Sequence, residues 1–128
     1  MEWVALRRGD VLAEVATGAA FADWLGACAP TSPLAAIDPY RDLALDGPTA
    51  ARWLDALRAV RAAAIAAARD DHEARSHLPR EPAARERILA TLIDQTLARA
   101  PHHPALADLI ALFELAIAEG GSVRLVGD

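Results

Sequence analysis

Three features of the sequence predict a helix-dominated α+β fold, with four helices and a small antiparallel sheet. Apolar residues recur at helical spacing in four segments that are separated by proline-containing breaks. Two short apolar runs near the N-terminus flank a Gly-Asp turn, and a short alternating segment ends the chain. The length of 128 residues is that of one ordinary domain, so we expect a single globular unit over residues 1–128.

The predicted sheet draws its strands from three parts of the chain. The apolar runs within residues 3–15 are expected to form a hairpin. Residues 34–45 contain two apolar segments, 34–37 and 43–45, that are short enough for edge strands. Residues 122–126 alternate between apolar and polar side chains and should pair with the hairpin or with the 34–45 region.

The first two helices are predicted from capping residues and from apolar spacing. Thr17 is expected to cap the first helix, in which Cys28 falls on the apolar face as a small buried hydrophobe. Asp46 or Gly47 is expected to cap the second helix, because Pro48 fits its first turn. The apolar stripe then continues to about residue 75, which makes this helix the longest element.

The last two helices follow proline-containing breaks at residues 77–82 and 101–104. The third helix is amphipathic and should pack through one side. The fourth helix, over about residues 104–118, is apolar nearly all round and is therefore expected at the centre of the fold, with Phe113 in the core.

Composition excludes several classes of function. The formal net charge is −5 and no arginine-rich run is free of acids, which disfavours nucleic-acid binding. The single cysteine cannot form an internal disulfide or a cysteine-based zinc site. No secretory leader pattern and no long uncharged apolar run is present, so we expect no membrane association and a cytoplasmic location.

The histidines do not predict a metal site or a catalytic base. His72 and His77 are five residues apart, which does not place them on one helical face as a zinc helix requires. His102 and His103 lie between two prolines and are expected in a solvated turn. We therefore expect no bound metal or other cofactor.

Three aspartates recur at every fourth residue, at positions 38, 42 and 46, but the intervening prolines and glycine exclude a continuous helix. Their spacing also differs from that of a calcium-binding loop. Aspartates next to proline and glycine usually accept backbone hydrogen bonds in turns and at helix starts. An enzyme that uses Asp38, Asp42 and His102 is the least favoured alternative, and the chain is predicted not to be an enzyme.

The polar turn at residues 38–42 contains the candidate binding residues. Tyr40 and Arg41 are adjacent, and both residue types are enriched where binding energy concentrates in protein interfaces. We therefore predict that Asp38, Tyr40, Arg41 and Asp42 contact a partner protein. The alternative is that the Tyr40 ring covers the edge of the core.

The Asp38-Pro39-Tyr40-Arg41-Asp42 segment, the helix that begins near Pro48 and the terminal Val123-Arg124-Leu125-Val126-Gly127-Asp128 resemble a group of short bacterial proteins. These proteins have an Asp-Pro-Tyr-Gly-Asp-like turn and a C-terminal strand that ends in Gly-Asp, although Arg41 replaces the expected glycine here. Some of them are similar to the immunity proteins of polymorphic or contact-dependent toxins. The resemblance implies a non-catalytic inhibitor of a cognate toxin; the alternative is a regulatory or scaffold subunit of a bacterial protein complex.

Overall fold

The computed structural model describes residues 1–128 and confirms a helix-dominated α+β fold with four α-helices and one four-stranded antiparallel sheet. The strands are β1 (Glu2–Arg7), β2 (Asp10–Ala16), β3 (Leu43–Leu45) and β4 (Ser122–Val126). The helices are α1 (Ala19–Cys28), α2 (Gly47–Arg75), α3 (Pro82–Arg99) and α4 (His103–Ala118), and a short 3-10 helix spans Pro33–Ala36.

The strand order in the sheet is β2-β1-β4-β3, and every neighbouring pair is antiparallel. The predicted hairpin is confirmed, with Arg8 (φ 52°) and Gly9 (φ 83°) at its tip. Positive φ at both central residues is what a two-residue type I′ turn requires, and glycine adopts it without strain. Strand β4 pairs with both β1 and β3, so the C-terminal strand uses both of its predicted partners.

Helices α2 and α4 cover one face of the sheet. Trp3 projects from β1 into this face and is fully buried, with its ring 6.3 Å from that of Trp53 on α2 and 5.9 Å from that of Phe113 on α4. Both contacts have the edge-to-face geometry that aromatic pairs favour. Glu14 and Arg124 belong to the opposite face of the sheet and are exposed to solvent.

Helix α4 lies at the centre of the fold, as predicted, because it contacts β1, β2, β4, α2 and α3. Its buried side chains are those of Leu106, Leu109, Ile110, Leu112, Phe113 and Ala116. One side remains open, since Leu115 is 37 % exposed. At the C-terminal end of the helix, Glu119 forms an ion pair of 2.7 Å with Arg7 of β1.

Helix α2 begins and ends where the sequence predicts. The Asp46 carboxylate accepts a hydrogen bond from the Thr49 backbone N–H (2.9 Å), which caps the helix. Hydrogen bonding by the Thr49 side chain and then by its backbone N–H lowers the pKa of Asp46. The second half of α2 packs against α3. Arg69 donates two hydrogen bonds to Glu86 across this helix pair (2.9 and 3.1 Å), and His72 Nε2 lies 2.7 Å from Thr96 Oγ1. These contacts give His72 a structural role.

The expected strand at residues 34–37 is wrong. Residues 34–36 belong to the 3-10 helix, because Pro33 fits the first turn of a helix and the Ser32 hydroxyl accepts a hydrogen bond from the Leu34 N–H (3.2 Å). Only Leu43–Leu45 from the 34–45 region joins the sheet.

Two expectations for α1 are also wrong. Thr17 does not cap the helix; its hydroxyl accepts a hydrogen bond from Trp3 Nε1 (2.9 Å), and Gly18 takes the capping position without a side-chain bond. Buried indole N–H groups need such an acceptor. Cys28 is exposed and not buried, because it is the last residue of α1 and its side of the helix faces an open groove.

Candidate functional site

The structure brings together the four residues that the sequence marks as candidate contacts, in a turn over residues 38–42 that we call the Tyr40 turn. The Asp38 carboxylate accepts a hydrogen bond from the Tyr40 N–H (2.9 Å), and the Asp38 carbonyl accepts one from the Arg41 N–H (3.2 Å). Arg41 Nε lies 3.4 Å from the second carboxylate oxygen of Asp38. Asp38 thus closes the turn through three contacts, as short polar side chains do in Asx turns.

The C-terminal residues clamp the Tyr40 turn from outside. Gly127 N–H donates to the Asp42 carboxylate, and Asp128 N–H donates to the Pro39 carbonyl, each at 2.9 Å. No side chain fits at Gly127, since a Cβ there would lie 2.5 Å from Arg41 N and 2.6 Å from the Tyr40 carbonyl carbon. The backbone of the turn therefore has one defined position relative to β4.

The turn presents the Tyr40 side chain to solvent. Tyr40 is 71 % exposed, so its ring does not cover the edge of the core, which was the alternative interpretation. Asp38, Arg41 and Asp42 are exposed as well. The charge of Arg41 is paired with Asp38, whereas Asp42 forms no ion pair within the chain. The result is an exposed aromatic ring on a fixed backbone beside an uncompensated carboxylate.

A second cluster of polar and aromatic side chains lies at the start of α4. The His102 ring stacks on Trp24 with 5.3 Å between centroids, and the His103 ring meets Trp24 edge-on at 5.0 Å. Both histidines are half-buried, so the expected solvated turn is wrong. The adjacent prolines indicate a loop correctly, but nothing in the local sequence indicates that α1 brings Trp24 against it. His102 adopts a left-handed backbone conformation (φ 71°) that is uncommon for residues other than glycine.

These side chains border an open groove of about 390 Å³ between α1, α2 and the start of α4. Its walls are largely apolar, Cys28, His103 and the indole of Trp24 are the lining side chains that carry a polar group, and no carboxylate lines it. Burial and the neighbouring His102 lower the pKa of His103, which favours its neutral form. A nucleophile beside a base oriented by an acid, the arrangement of nucleophilic catalysis, is not assembled in this groove.

The pKa of His103 predicts how stability depends on pH. Because its pKa is lowered in the folded protein, the unfolded chain binds more protons near about pH 6, so the free energy of unfolding should fall as pH decreases from about 7.5 to about 5. The melting temperature of His103→Gln should decrease less with falling pH than that of wild type. His77→Gln, at an exposed histidine, is the control substitution. An identical dependence of melting temperature on pH for wild type and His103→Gln would contradict the assignment to His103.

No group of three or more His, Cys, Asp or Glu side chains in the structure is arranged to hold a metal ion. None of the four helices combines the length and the apolar character that crossing a membrane demands. Comparison with protein-family models, with curated proteins and with solved structures gave no match.

Proposed function

We propose that this chain is an immunity protein, a cytoplasmic non-catalytic domain that binds a cognate bacterial toxin domain and blocks its active site or the access of its substrate. The Tyr40 turn carries this proposal. A tyrosine side chain that is 71 % exposed on a clamped backbone offers a large contact area to a partner. Since the turn is already ordered, little conformational entropy is lost when it binds.

The turn contains one of the two short motifs on which the resemblance, and with it the toxin partner, rests. The two motifs are the Asp-Pro-Tyr-x-Asp turn and the terminal Gly-Asp, and they form a direct hydrogen bond with each other. Asp42 and Gly127, which form this bond, are 85 residues apart in the sequence. Gly127 is required there by the close approach of the Arg41 backbone. The motifs therefore describe one structural unit, and that unit displays Tyr40.

The charge of the chain indicates what kind of toxin surface fits this unit. The net charge is −5, and Asp42 places an unpaired carboxylate beside Tyr40. A toxin that acts on nucleic acid, nucleotides or another anion needs a basic cleft, and an acidic inhibitor is attracted to such a cleft over a long range. We infer that the Tyr40 turn occupies the cleft, with Tyr40 as its central contact.

Growth of bacteria that co-express this chain with the product of the adjacent gene tests the proposal. The adjacent gene product should arrest growth when it is expressed alone, and this chain should restore growth. Tyr40→Ala should protect less well at equal abundance and equal melting temperature, because truncation removes the central contact. Val11→Ala, at an exposed residue of β2, is the matched control and should protect fully.

A non-toxic product of the adjacent gene would reject the immunity function. Full protection by Tyr40→Ala would instead reject the location of the interface. Stable co-purification with a host complex in cells that lack the adjacent gene would favour the regulatory or scaffold alternative.

A further inference from the structure

The outer edge of the sheet at β2 has unpaired backbone groups. Thr17 N–H donates to the Met1 carbonyl (3.0 Å), and hydrogen-bonded pairs alternate along an antiparallel ladder, so Val15 and Ala13 direct their backbone groups toward β1. The N–H and C=O groups of Glu14 and Ala16 consequently point away from the sheet. No strand lies on that side, since β2 is the first strand in the order β2-β1-β4-β3.

Residues 13–16 of this edge carry little protection against pairing with another chain. Exposed edge strands are commonly protected by charged side chains, especially lysine, by proline or by a bulge. Strand β2 contains neither proline nor lysine, and Glu14 is the one charged side chain within residues 13–16. Its register shift lies opposite Ala5 and Leu6, at the hairpin end, so residues 13–16 form a regular edge.

Helix α4 borders this edge on the inner face of the sheet. A groove of about 500 Å³ runs between residues 13–16 of β2 and the open side of α4, where it is lined by Asp108, Ala111, Leu112 and Leu115. Leu115 is 37 % exposed on a helix whose other large apolar side chains are mostly buried. A strand added next to β2 would place its inward side chains against this side of α4, as the existing strands do.

Each face of this edge carries a carboxylate. Glu14 projects from the outer face of the sheet, and Asp108 of α4 lines the groove on the inner face. Neither forms an ion pair within the chain, and no cationic side chain lines the groove. A second copy of β2 would bring further carboxylates, Asp10 and Glu14, to the same place. Like charges facing each other across strands are destabilising, so a basic segment fits better than a second copy of this chain.

We propose that the free edge of β2 accepts an extended segment of a partner protein as a fifth strand, antiparallel to β2 as every neighbouring pair in the sheet is, and that this segment alternates basic with apolar residues. This surface lies at the opposite edge of the sheet from β3 and the Tyr40 turn, so it is an interaction site beyond the proposed immunity function. A basic residue of the segment pairs with Glu14 on the outer face. The residues next to it in the segment point toward α4 and contact Leu115. Main-chain hydrogen bonds to Glu14 and Ala16 hold the segment in register.

Binding of a capped, fluorescently labelled peptide of about eight alternating Arg and Val residues, the length of an ordinary strand, tests this site. Fluorescence anisotropy should show binding that weakens as salt increases. The residue opposite Glu14 directs its own N–H toward β2, so N-methylation of every Arg should abolish binding. N-methylation of every Val should leave binding nearly unchanged, because those N–H groups point away from β2.

Ala16→Pro provides the matching change in the protein. Proline at this position removes an N–H that points outward and leaves the β1–β2 ladder intact, so the melting temperature should be retained. Peptide affinity should fall by about tenfold, because one peptide carbonyl loses its donor. Replacing Glu14 by Gln and Asp108 by Asn together should weaken the salt dependence of binding.

Equal affinity of the two methylated peptides, unchanged binding by folded Ala16→Pro, or absence of peptide binding by wild type would overturn the proposal. Sedimentation of the protein alone gives an independent test. We expect wild type and Ala16→Pro to sediment as the same species, because the edge does not pair with a second copy. A wild-type dimer that Ala16→Pro dissociates would assign the edge to a second copy and contradict the basic partner segment.

Discussion

Replacing Phe113 by alanine is expected to lower the free energy of unfolding by about 3 to 5 kcal/mol, the range typical of large-to-small changes at fully buried aromatic residues. Phe113 has no exposed surface and packs edge-on against Trp3 at 5.9 Å. Trp3 in turn contacts Trp53, so the three rings join the sheet to α2 and α4. The cavity would therefore open where the layers meet, and neighbouring groups held by two layers cannot readily collapse into it.

Urea unfolding of wild type and Phe113→Ala measures this loss of stability. Leu115→Ala is the matched control, because Leu115 is on the same helix but 37 % exposed, and its truncation should cost about 1 kcal/mol or less. The midpoint should decrease for Phe113→Ala while the denaturant slope is retained. Equal and small effects of the two substitutions would show that α4 is not the centre of the core.

Gly127→Ala is expected to abolish binding of the cognate toxin while the main core remains folded. The added Cβ would lie 2.5 Å from Arg41 N and 2.6 Å from the carbonyl carbon of Tyr40, and both atoms belong to the backbone. No rotation of a flexible side chain relieves such an approach, so the turn and the C-terminal residues must separate. The hydrogen bonds of Asp42 with Gly127 and of Pro39 with Asp128 would then break, and Tyr40 would lose its fixed position.

Isothermal titration with the toxin domain, together with a melt, measures this effect. The two lost hydrogen bonds should cost about 1 to 3 kcal/mol of stability, well below the effect of Phe113→Ala. Gly18→Ala is the control for a glycine-to-alanine change, since a Cβ at Gly18 has no neighbour within 4 Å. Wild-type affinity in Gly127→Ala would show that the clamp on the turn is irrelevant to binding.

The helices and the hairpin were predictable because their signals are local. Apolar spacing, the Asp46 cap and the glycine pair at residues 120–121 each act within a few residues, and the structure has the corresponding elements. Residues 34–37 were not predictable in the same way, because a short apolar run is compatible with a strand or a helical turn. The capping hydroxyl of Ser32 and the ring of Pro33 favour the helical turn.

The side chains whose environments were predicted wrongly are positioned by contacts between distant parts of the chain. Thr17 has the residue type of a helix cap. However, the hairpin brings the indole N–H of Trp3 close to it, and the Thr17 hydroxyl accepts a hydrogen bond from that group instead. His102 and His103 pack against Trp24, which is far from them in sequence. Composition around residues 38–42 predicted a polar turn but left open whether Tyr40 covers the core edge. The hydrogen bond between Gly127 and Asp42 was not predictable, because it requires β4 to lie beside the turn.

Association and dissociation rates of the toxin domain, measured at low and high salt, test most directly whether the Tyr40 turn is the binding site. Tyr40→Ala should mainly accelerate dissociation, by about thirtyfold for an anchor worth about 2 kcal/mol. Asp38→Asn combined with Asp42→Asn should slow association and reduce its salt dependence, because each asparagine keeps one oxygen to accept the backbone hydrogen bond from Tyr40 or Gly127, while the charges and the Asp38–Arg41 ion pair are removed. Unchanged rates in both folded variants would contradict this interface.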